Sequence, residues 1–164
     1  MDEKKYTFEN PEFKDTYRHT TSHILAQAVK RLYPEVKLAI GPAIADGFYY
    51  DFDAPFAITP EILEKLEAEM RKICKENLPI KPFILPRDEA IKLMQERHAK
   101  YKEEHIGDLP EDAVISFYQQ GDYIDMCVGP HMTYTKGLKA FKITQQSGAY
   151  WKNDANNKML TRIN

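Results

Sequence analysis

An α+β fold, an antiparallel β-sheet packed on a long helix with additional helices, follows from three features of the 164-residue sequence. In the run from His19 to Tyr33, the residues Ile24, Leu25, Ala28, Val29 and Leu32 recur at three- and four-residue steps, the spacing of one buried helix stripe. Two turn signals, Asp46-Gly47 and Gln120-Gly121, each separate a pair of strand-like segments, as antiparallel hairpins do. Two further stretches, about 60–77 and 88–100, read as helices.

Taken in order, residues 1–14 are polar with scattered aromatics. Residues 1–15 therefore read as a leading linker and 16–164 as the domain, with a small helix-and-strand subdomain over 55–112. Asp15 or Thr16 suits the N-cap of the first helix, and Pro34 closes it after Tyr33. Residues 37–45 and 48–53 are the strands of the first hairpin. Phe48, Tyr50 and Phe52 alternate there with Tyr49, Asp51 and Asp53, so one face is expected inside. Gly41-Pro42 interrupts the first strand and marks a bulge or an edge. Thr59-Pro60-Glu61 combines a cap, a proline at the first position and an acid in the first turn. Ile62, Leu63, Leu66, Met70, Ile73 and Cys74 form the stripe of the helix it starts, which makes Cys74 a core residue. A short strand over 80–85 precedes the helix at 88–100, and 101–112 is polar with no readable period. The second hairpin, 114–118 with 123–126, delivers Cys127 from a strand end. Residues 139–144 read as another strand and 147–151 as a tight, aromatic turn.

Composition narrows the function classes. Hydrophobic residues make up 43% and charged residues 29%, as in an ordinary globule with a real core. No apolar run approaches the roughly 20 residues of a membrane span, and Met1-Asp2-Glu3 does not open a signal peptide. No membrane partner is expected. The two cysteines, Cys74 and Cys127, cannot build a disulfide framework, so a reducing, cytoplasmic setting is expected. The net charge of −2 advertises no global attraction for nucleic acid. Over 136–162, however, six basic residues (Lys136, Lys139, Lys142, Lys152, Lys158, Arg162) stand against the single acid Asp154. Such a patch is either a phosphate footprint or a solvated surface, and charge alone does not separate the two.

The residues with chemistry come in two pairs. His19 and His23 are four apart and stack on one helix face. Cys127-Val128-Gly129-Pro130-His131 adds a Cys and a His on a loop, since Gly129-Pro130 opposes helix. The two pairs are expected to converge on one cleft. Imidazole and thiolate together are a zinc donor set. A histidine titrating near neutral pH can also take a proton from water and return one to a leaving group. A zinc-protease site is excluded, because Thr20 stands where that motif needs a glutamate. Cys127 reads as a positioning or ligand group rather than a covalent nucleophile, since no basic sequence neighbour would lower its pKa. Asp125 shares the strand face of Cys127 and is either placed to bind an amine or a solvated strand residue.

Five blocks carry a resemblance: Arg18-His19-Thr20-Thr21-Ser22-His23, Lys37-Leu38-Ala39-Ile40-Gly41-Pro42, Asp46-Gly47-Phe48-Tyr49-Tyr50-Asp51, Asp125-Met126-Cys127-Val128-Gly129-Pro130-His131 and Gly148-Ala149-Tyr150-Trp151. In this order, over residues 6–164, they resemble the editing domains of bacterial-type threonyl-tRNA synthetases, a superfamily shared with the alanyl enzyme and its free-standing deacylases. The two Cys/His pairs alone fit the alanyl branch as well; the Gly-Phe-Tyr-Tyr-Asp and Gly-Ala-Tyr-Trp blocks favour the threonyl one. The resemblance implies hydrolysis of seryl-tRNA(Thr) to serine and free tRNA. It implies a module cut from the aminoacylation domain of its parent synthetase, itself a homodimer. Catalytic roles are implied for His19, His23, Cys127, His131, Lys102 and Asp125, and a substrate wall for Gly41, Tyr50 and Met126. Lys136, Lys139, Lys142 and Lys152, taken from the basic stretch, are the expected contacts to the acceptor end of tRNA(Thr). The threonyl branch implies no cofactor in this fragment. Zinc on His19, His23, Cys127 and His131 is the alternative, that of a free-standing zinc-dependent alanyl-type deacylase. The rival outside the hydrolases is a non-catalytic tRNA-binding module that uses the 136–162 patch with Tyr150 and Trp151.

Such an activity would answer a physical limit. Serine and threonine differ by one methyl, worth only about 1–3 kcal/mol in a pocket, so synthesis alone rejects serine poorly. On this reading His19 is the base, His23 orients, His131 assists, Lys102 faces the oxyanion and Asp125 the substrate ammonium.

Overall fold

The computed structural model describes residues 11–41, 43–44, 47–138 and 140–164. Its longest helix, α1 (Pro11–Leu32), is buried without a break from Thr20 to Val29. The expected stripe of Ile24, Leu25, Ala28 and Val29 is present, while Leu32 at the helix end is 38% exposed. Thr20, Thr21, Ser22, Ala26 and Gln27 are buried as well, so α1 is covered on all sides, as a core helix is. It begins earlier than a cap at Asp15 or Thr16 predicts. Its described part opens at Pro11. Thr16 instead donates its hydroxyl to the Glu12 carbonyl at 2.8 Å, one turn back inside the helix. Residues 11–15 are therefore helical, and 1–10 lie outside the described residues.

Around α1 the strands are β1 (Lys37–Leu38), β2 (Ala43–Ile44), β3 (Gly47–Phe48), β4 (Tyr50–Asp53), β5 (Ile80–Pro86), β6 (Val114–Gln120), β7 (Tyr123–Met126), β8 (Gln146–Tyr150) and β9 (Met159–Ile163). They form a four-stranded sheet in the order β1-β4-β9-β8, a three-stranded sheet β5-β6-β7 and the small pair β2-β3. All of these pairings are antiparallel. The two expected hairpins thus lie in different sheets rather than in one.

The first hairpin is also divided. β1 pairs with β4 (Leu38↔Phe52), and Ala39 and Ile40 extend that ladder through bonds with Asp51 of 2.9 and 2.8 Å. β2 then leaves for β3 after Gly41, where the sequence interrupts the strand. Pro42 and Asp46 lie outside the described residues. Phe48, Tyr50 and Phe52 face inward as expected, at 8%, 1% and 1% exposure.

Helix α2 (Pro60–Glu76) follows its sequence signals closely. The Thr59 hydroxyl accepts the Ile62 N–H at 3.3 Å, Pro60 opens the helix and Asn77 ends it in a left-handed conformation. Leu66, Met70, Ile73 and Cys74 pack in one cluster with Ile24, Leu25, Phe52 and Ile163. Helix α3 (Arg87–Glu96) stops four residues short of the expected end, at a turn where His98 takes φ 55°. Helix α4 (Lys100–Gly107) follows, inside the stretch that carried no readable period. Its inward residues are Tyr101, Lys102 and Ile106, and a lysine among them hides the pattern. A second apolar cluster, Ala90, Met94, Ile106, Ile115 and Phe117, joins α3 and α4 to the three-stranded sheet.

The C-terminal segment departs most from expectation. Residues 140–144 are not a strand, and the supposed turn at 147–151 contains most of β8, paired with β9 through Gly148↔Thr161. β8 is a nearly bare edge strand, held by its backbone ladder rather than by an apolar face, so its side chains show no alternation. Among the described residues no helix is long and apolar enough to cross a membrane. Replacing Thr59 by Ala should lower stability by about 0.5–2 kcal/mol, toward the lower end for so long a bond. Urea unfolding would show this as an earlier midpoint with unchanged slope; an unmoved midpoint would mean that the cap is idle.

Candidate active site

The middle of α1 and the loop after β7 bring the two Cys/His pairs together. The rings of His19 and His23 are 5.0 Å apart, and those of His19 and His23 lie 4.3 and 4.2 Å from the ring of His131. Cys127 Sγ is 3.2 Å from His19 Nε2 and 3.2 Å from His131 Nε2. Local structure holds the sulfur in place. The Cys127 N–H donates to the Ser116 carbonyl at 2.9 Å, extending the β6–β7 ladder by one residue. The Gly129 N–H donates to Sγ at 3.1 Å. Gly129 has φ 74°, and a Cβ there would come within 2.1 Å of the Tyr118 hydroxyl, so this turn requires glycine.

A second group adjoins the first. Asp125 is 2% exposed and fully engaged: Lys102 Nζ donates to Oδ1 at 2.8 Å, and the hydroxyls of Tyr50 and Tyr123 donate to Oδ2 at 2.8 and 2.5 Å. His23 Nε2 is 3.5 Å from the same Oδ2. Sequence reasoning did not single out Tyr123, although it stands two residues before Asp125 on the same strand face and so could have been found. It also passed over Thr20, whose hydroxyl lies 3.0 Å from His131 Nδ1. A cleft of about 400 Å³ is lined by His19, His23, Gly41, Tyr50, Lys102, Asp125, Met126 and Cys127. His131 does not line it and stands off the cleft, bonded to the sulfur.

Burial governs the protonation of this group. It lowers His19, against the opposing pull of Asp125. It lowers His23 to about 4, again against Asp125. His131 is lowered as well, by burial and then by the adjoining His23 and His19. Burial pushes the Cys127 thiol up to about 12, with the Gly129 N–H acting in the other direction. Asp125 is the exception: burial would raise it, yet Lys102 at 2.8 Å, His23 and the Tyr123 hydroxyl together outweigh that and hold the carboxyl well below its usual range. At neutral pH the site therefore holds three uncharged imidazoles, a thiol and one ion pair. A sulfur kept as thiol is a poor nucleophile, since the thiolate is the attacking form.

Three imidazoles and a thiol whose donor atoms lie within 4.8 Å of one another are a set that zinc would accept. The Thr20 hydroxyl on His131 and the Asp125 carboxylate beside His23 are outer partners of the kind metal-bound histidines have.

The basic stretch looks different in space than in sequence. Lys152 is paired with Asp108 at 2.5 Å and lies 3.8 Å from Glu104. Lys158 is paired with Asp53 at 2.9 Å and Arg162 with Asp51 at 2.8 Å. Acids from distant segments thus neutralise much of the local charge. Lys136 and Lys142 are exposed, and Lys139 lies outside the described residues. Trp151 is 7% exposed and packed edge-on against Tyr101, whereas Tyr150 is 40% exposed.

The lowered imidazoles imply a pH window for stability. In the unfolded chain a histidine protonates near pH 6.5, while the folded chain keeps these three neutral. As pH falls below about 6.5 the unfolded state takes up protons that the folded state refuses, so stability is lost. The loss continues down to about 4, where His23 itself charges. Thermal unfolding followed from pH 7.5 to 5 should show a steadily falling midpoint; an invariant midpoint would mean that the imidazoles charge freely in the fold.

The family described as the Threonyl and Alanyl tRNA synthetase second additional domain matches residues 115–164. A threonine–tRNA ligase of Clostridium novyi (strain NT) is 64% identical over 157 residues, 96% of this chain and 25% of that protein. One from Clostridium kluyveri is 61% identical over 157 residues, and one from Clostridioides difficile (strain 630) is 59% identical over 158 residues. The chain spans about a quarter of the length of the curated relatives it matches. Residues 115–164 thus belong to the threonyl and alanyl tRNA synthetase second additional domain family, and nearly the whole chain is related in sequence to a quarter-length segment of threonine–tRNA ligases.

Proposed function

We propose that this chain hydrolyses serine from mischarged tRNA(Thr), as the proofreading module of a threonine–tRNA ligase. One observation carries the reading: neutral imidazoles, a thiol and a lysine–carboxylate pair converge on a single cleft of about 400 Å³. Ester hydrolysis needs an activated water, a stabilised oxyanion and a proton for the departing ribose oxygen. His19, neutral and at the cleft wall, takes the proton of the water and returns it to the departing ribose oxygen. His23 orients it and His131 supports the sulfur from the far side. Asp125 receives the α-ammonium, for which a fixed carboxylate in a dry cleft is the natural partner. Lys102 and the two tyrosine hydroxyls already occupy that carboxylate. The arriving ammonium therefore competes with Lys102, turning a positive charge toward the forming oxyanion. Gly41, Tyr50 and Met126 wall the amino-acid side chain.

The tRNA backbone is assigned to Lys136, Lys139 and Lys142, with Lys152 joining where phosphate displaces Asp108. A binding module without catalysis is the weaker account, because Trp151, one of its two aromatics, is buried. The zinc-dependent deacylase is the second reading, and the close-set donors favour it.

Three outcomes are expected. The chain should release serine from seryl-tRNA(Thr) faster than threonine from threonyl-tRNA(Thr), and His19→Ala and Cys127→Ala should each slow serine release by about 10²-fold or more. No release above the buffer rate with tRNA binding intact would instead identify a binding module. Lys142→Ala should weaken tRNA binding and flatten its salt dependence while leaving the rate at saturating substrate alone; unchanged binding would remove Lys142 from the footprint. Purified chain should carry no stoichiometric metal and keep its rate after dialysis against chelator. Loss of hydrolysis to chelator with recovery on added zinc would establish the second reading.

A further inference from the structure

We propose that Thr20 is the positioning residue that sets the direction of the His131–Cys127–His19 hydrogen-bond chain, leaving His19 Nε2 as the proton acceptor; this rests on the hydrolytic reading above. Thr20 is completely buried between the two histidines of α1. Its oxygen accepts the Met132 N–H at 3.0 Å and lies 3.0 Å from His131 Nδ1. Elsewhere on this helix Thr16, Thr21 and Ser22 turn their hydroxyls back onto the carbonyls of Glu12, Tyr17 and His19. Thr20 does not. Among the described residues, His131 Nδ1 is the one acceptor within reach of its hydroxyl hydrogen.

A hydroxyl has a single hydrogen to give, and a buried one is seldom left without an acceptor. The Thr20 O–H therefore donates to Nδ1, which then carries no hydrogen. With Nδ1 bare, the His131 ring is uncharged. A neutral imidazole carries one N–H, so here it is on Nε2, aimed at Cys127 Sγ 3.2 Å away. The sulfur also receives the Gly129 N–H at 3.1 Å. With two donors on the sulfur, the thiol hydrogen goes to its remaining neighbour, His19 Nε2, at 3.2 Å. His19 thus keeps its Nε2 lone pair, covered only by the weak S–H donor, which a water in the cleft can displace. The reverse direction would have Thr20 accept two N–H groups while its own hydrogen stays buried without a partner. It would also put a hydrogen on His19 Nε2 and close that atom to the proton of the water.

The test compares Thr20→Val, which keeps the shape and removes the hydroxyl, with Thr20→Ser, which restores the hydroxyl. Single-turnover serine release should fall about 10-fold or more in Thr20→Val, with KM for seryl-tRNA within about twofold of the parent. Thr20→Ser should release serine near the parent rate. Nitrogen NMR of the histidine-labelled, chelator-dialysed chain reads the tautomer directly, and the parent and Thr20→Ser should carry the His131 hydrogen on Nε2. A hydrogen on Nδ1 in the parent overturns the proposal whatever the rates, as does a Thr20→Val chain that releases serine at the parent rate. If the parent releases no serine at all, the hydrolytic reading fails, and the spectra alone decide the direction of the chain. If Thr20→Val does not fold, the parent and Thr20→Ser spectra decide it.

Discussion

The Lys102–Asp125 ion pair is the contact on which the rest of the site depends. Its charged atoms are 2.8 Å apart and each side chain is 3% exposed. Charge this deep is tolerated only when paired and hydrogen-bonded. Asp125 satisfies that condition by drawing on four elements: Lys102 from α4, Tyr50 from β4, Tyr123 from its own β7, and His23 from α1 at 3.5 Å. Tyr50 belongs to the four-stranded sheet and Asp125 to the three-stranded one, so the carboxylate is where the two sheets meet. The eight-residue α4 buries little apolar surface beyond Tyr101 and Ile106, and the ion pair fixes its docking. Removing one partner would strand the other charge, typically at about 3–5 kcal/mol. The pair is better understood as fixing how the two apolar clusters fit together than as a source of net stability.

The three imidazoles follow the opposite logic. With ring centroids 4.2 to 5.0 Å apart, a proton on one ring raises the cost of a proton on the next. Burial is the larger cause, and together the two leave the group uncharged beside an ion pair of zero net charge. The cleft thereby keeps lone pairs available for proton transfer at neutral pH, which charged imidazoles would lack. It also offers no concentrated positive field, which suits a neutral ester with a cationic amine better than a phosphate group. Phosphate contacts, where they occur, belong to the exposed lysines.

Much of this was legible in the sequence where local signals and tertiary demand agree. Helix α2 has its cap, its proline, its stripe and its left-handed end, and it forms as read. The second hairpin is turned by Gly121 with φ 60°, one residue later than expected at most. The convergence of His19, His23, Cys127 and His131 could be anticipated from two spacings, because a helix turn and a strand end each restrict where a side chain goes. Helix α4 was not legible, since its buried face includes a lysine whose partner is 23 positions away in sequence. The β8–β9 pairing was hidden for a related reason: an edge strand is specified by its neighbour's backbone. The charge of the basic stretch reads higher in sequence than in space, because Asp51, Asp53 and Asp108 come to it from afar. In each case the missing information was a long-range partner, which no window of residues contains.

On the proposed function, the hardest requirement is to accept serine and refuse one extra methyl, and the structure offers an unusually stiff wall for that purpose. Gly41 lies so close to Tyr50 that a Cβ on it would sit 2.2 Å from the ring carbon Cδ2 and 2.5 Å from the Tyr49 carbonyl oxygen. The Ser22 hydroxyl reaches the Gly41 carbonyl at 2.8 Å, sharing its hydrogen with the His19 carbonyl at 2.7 Å. This ties the wall to the same helix that carries the histidines. Tyr50 in turn is held by Asp125, so its ring cannot swing aside without breaking a buried bond. A pocket lined by flexible side chains would yield to a methyl and recover most of the 1–3 kcal/mol that separates the two amino acids, roughly the whole margin available. Backbone pinned to a core helix and a ring pinned to a buried carboxylate do not yield, so an intruding methyl displaces the ester carbonyl instead. Misplacing the reacting atoms by about 1 Å can cost 10²-fold in rate. Discrimination at this wall therefore belongs in kcat rather than in binding.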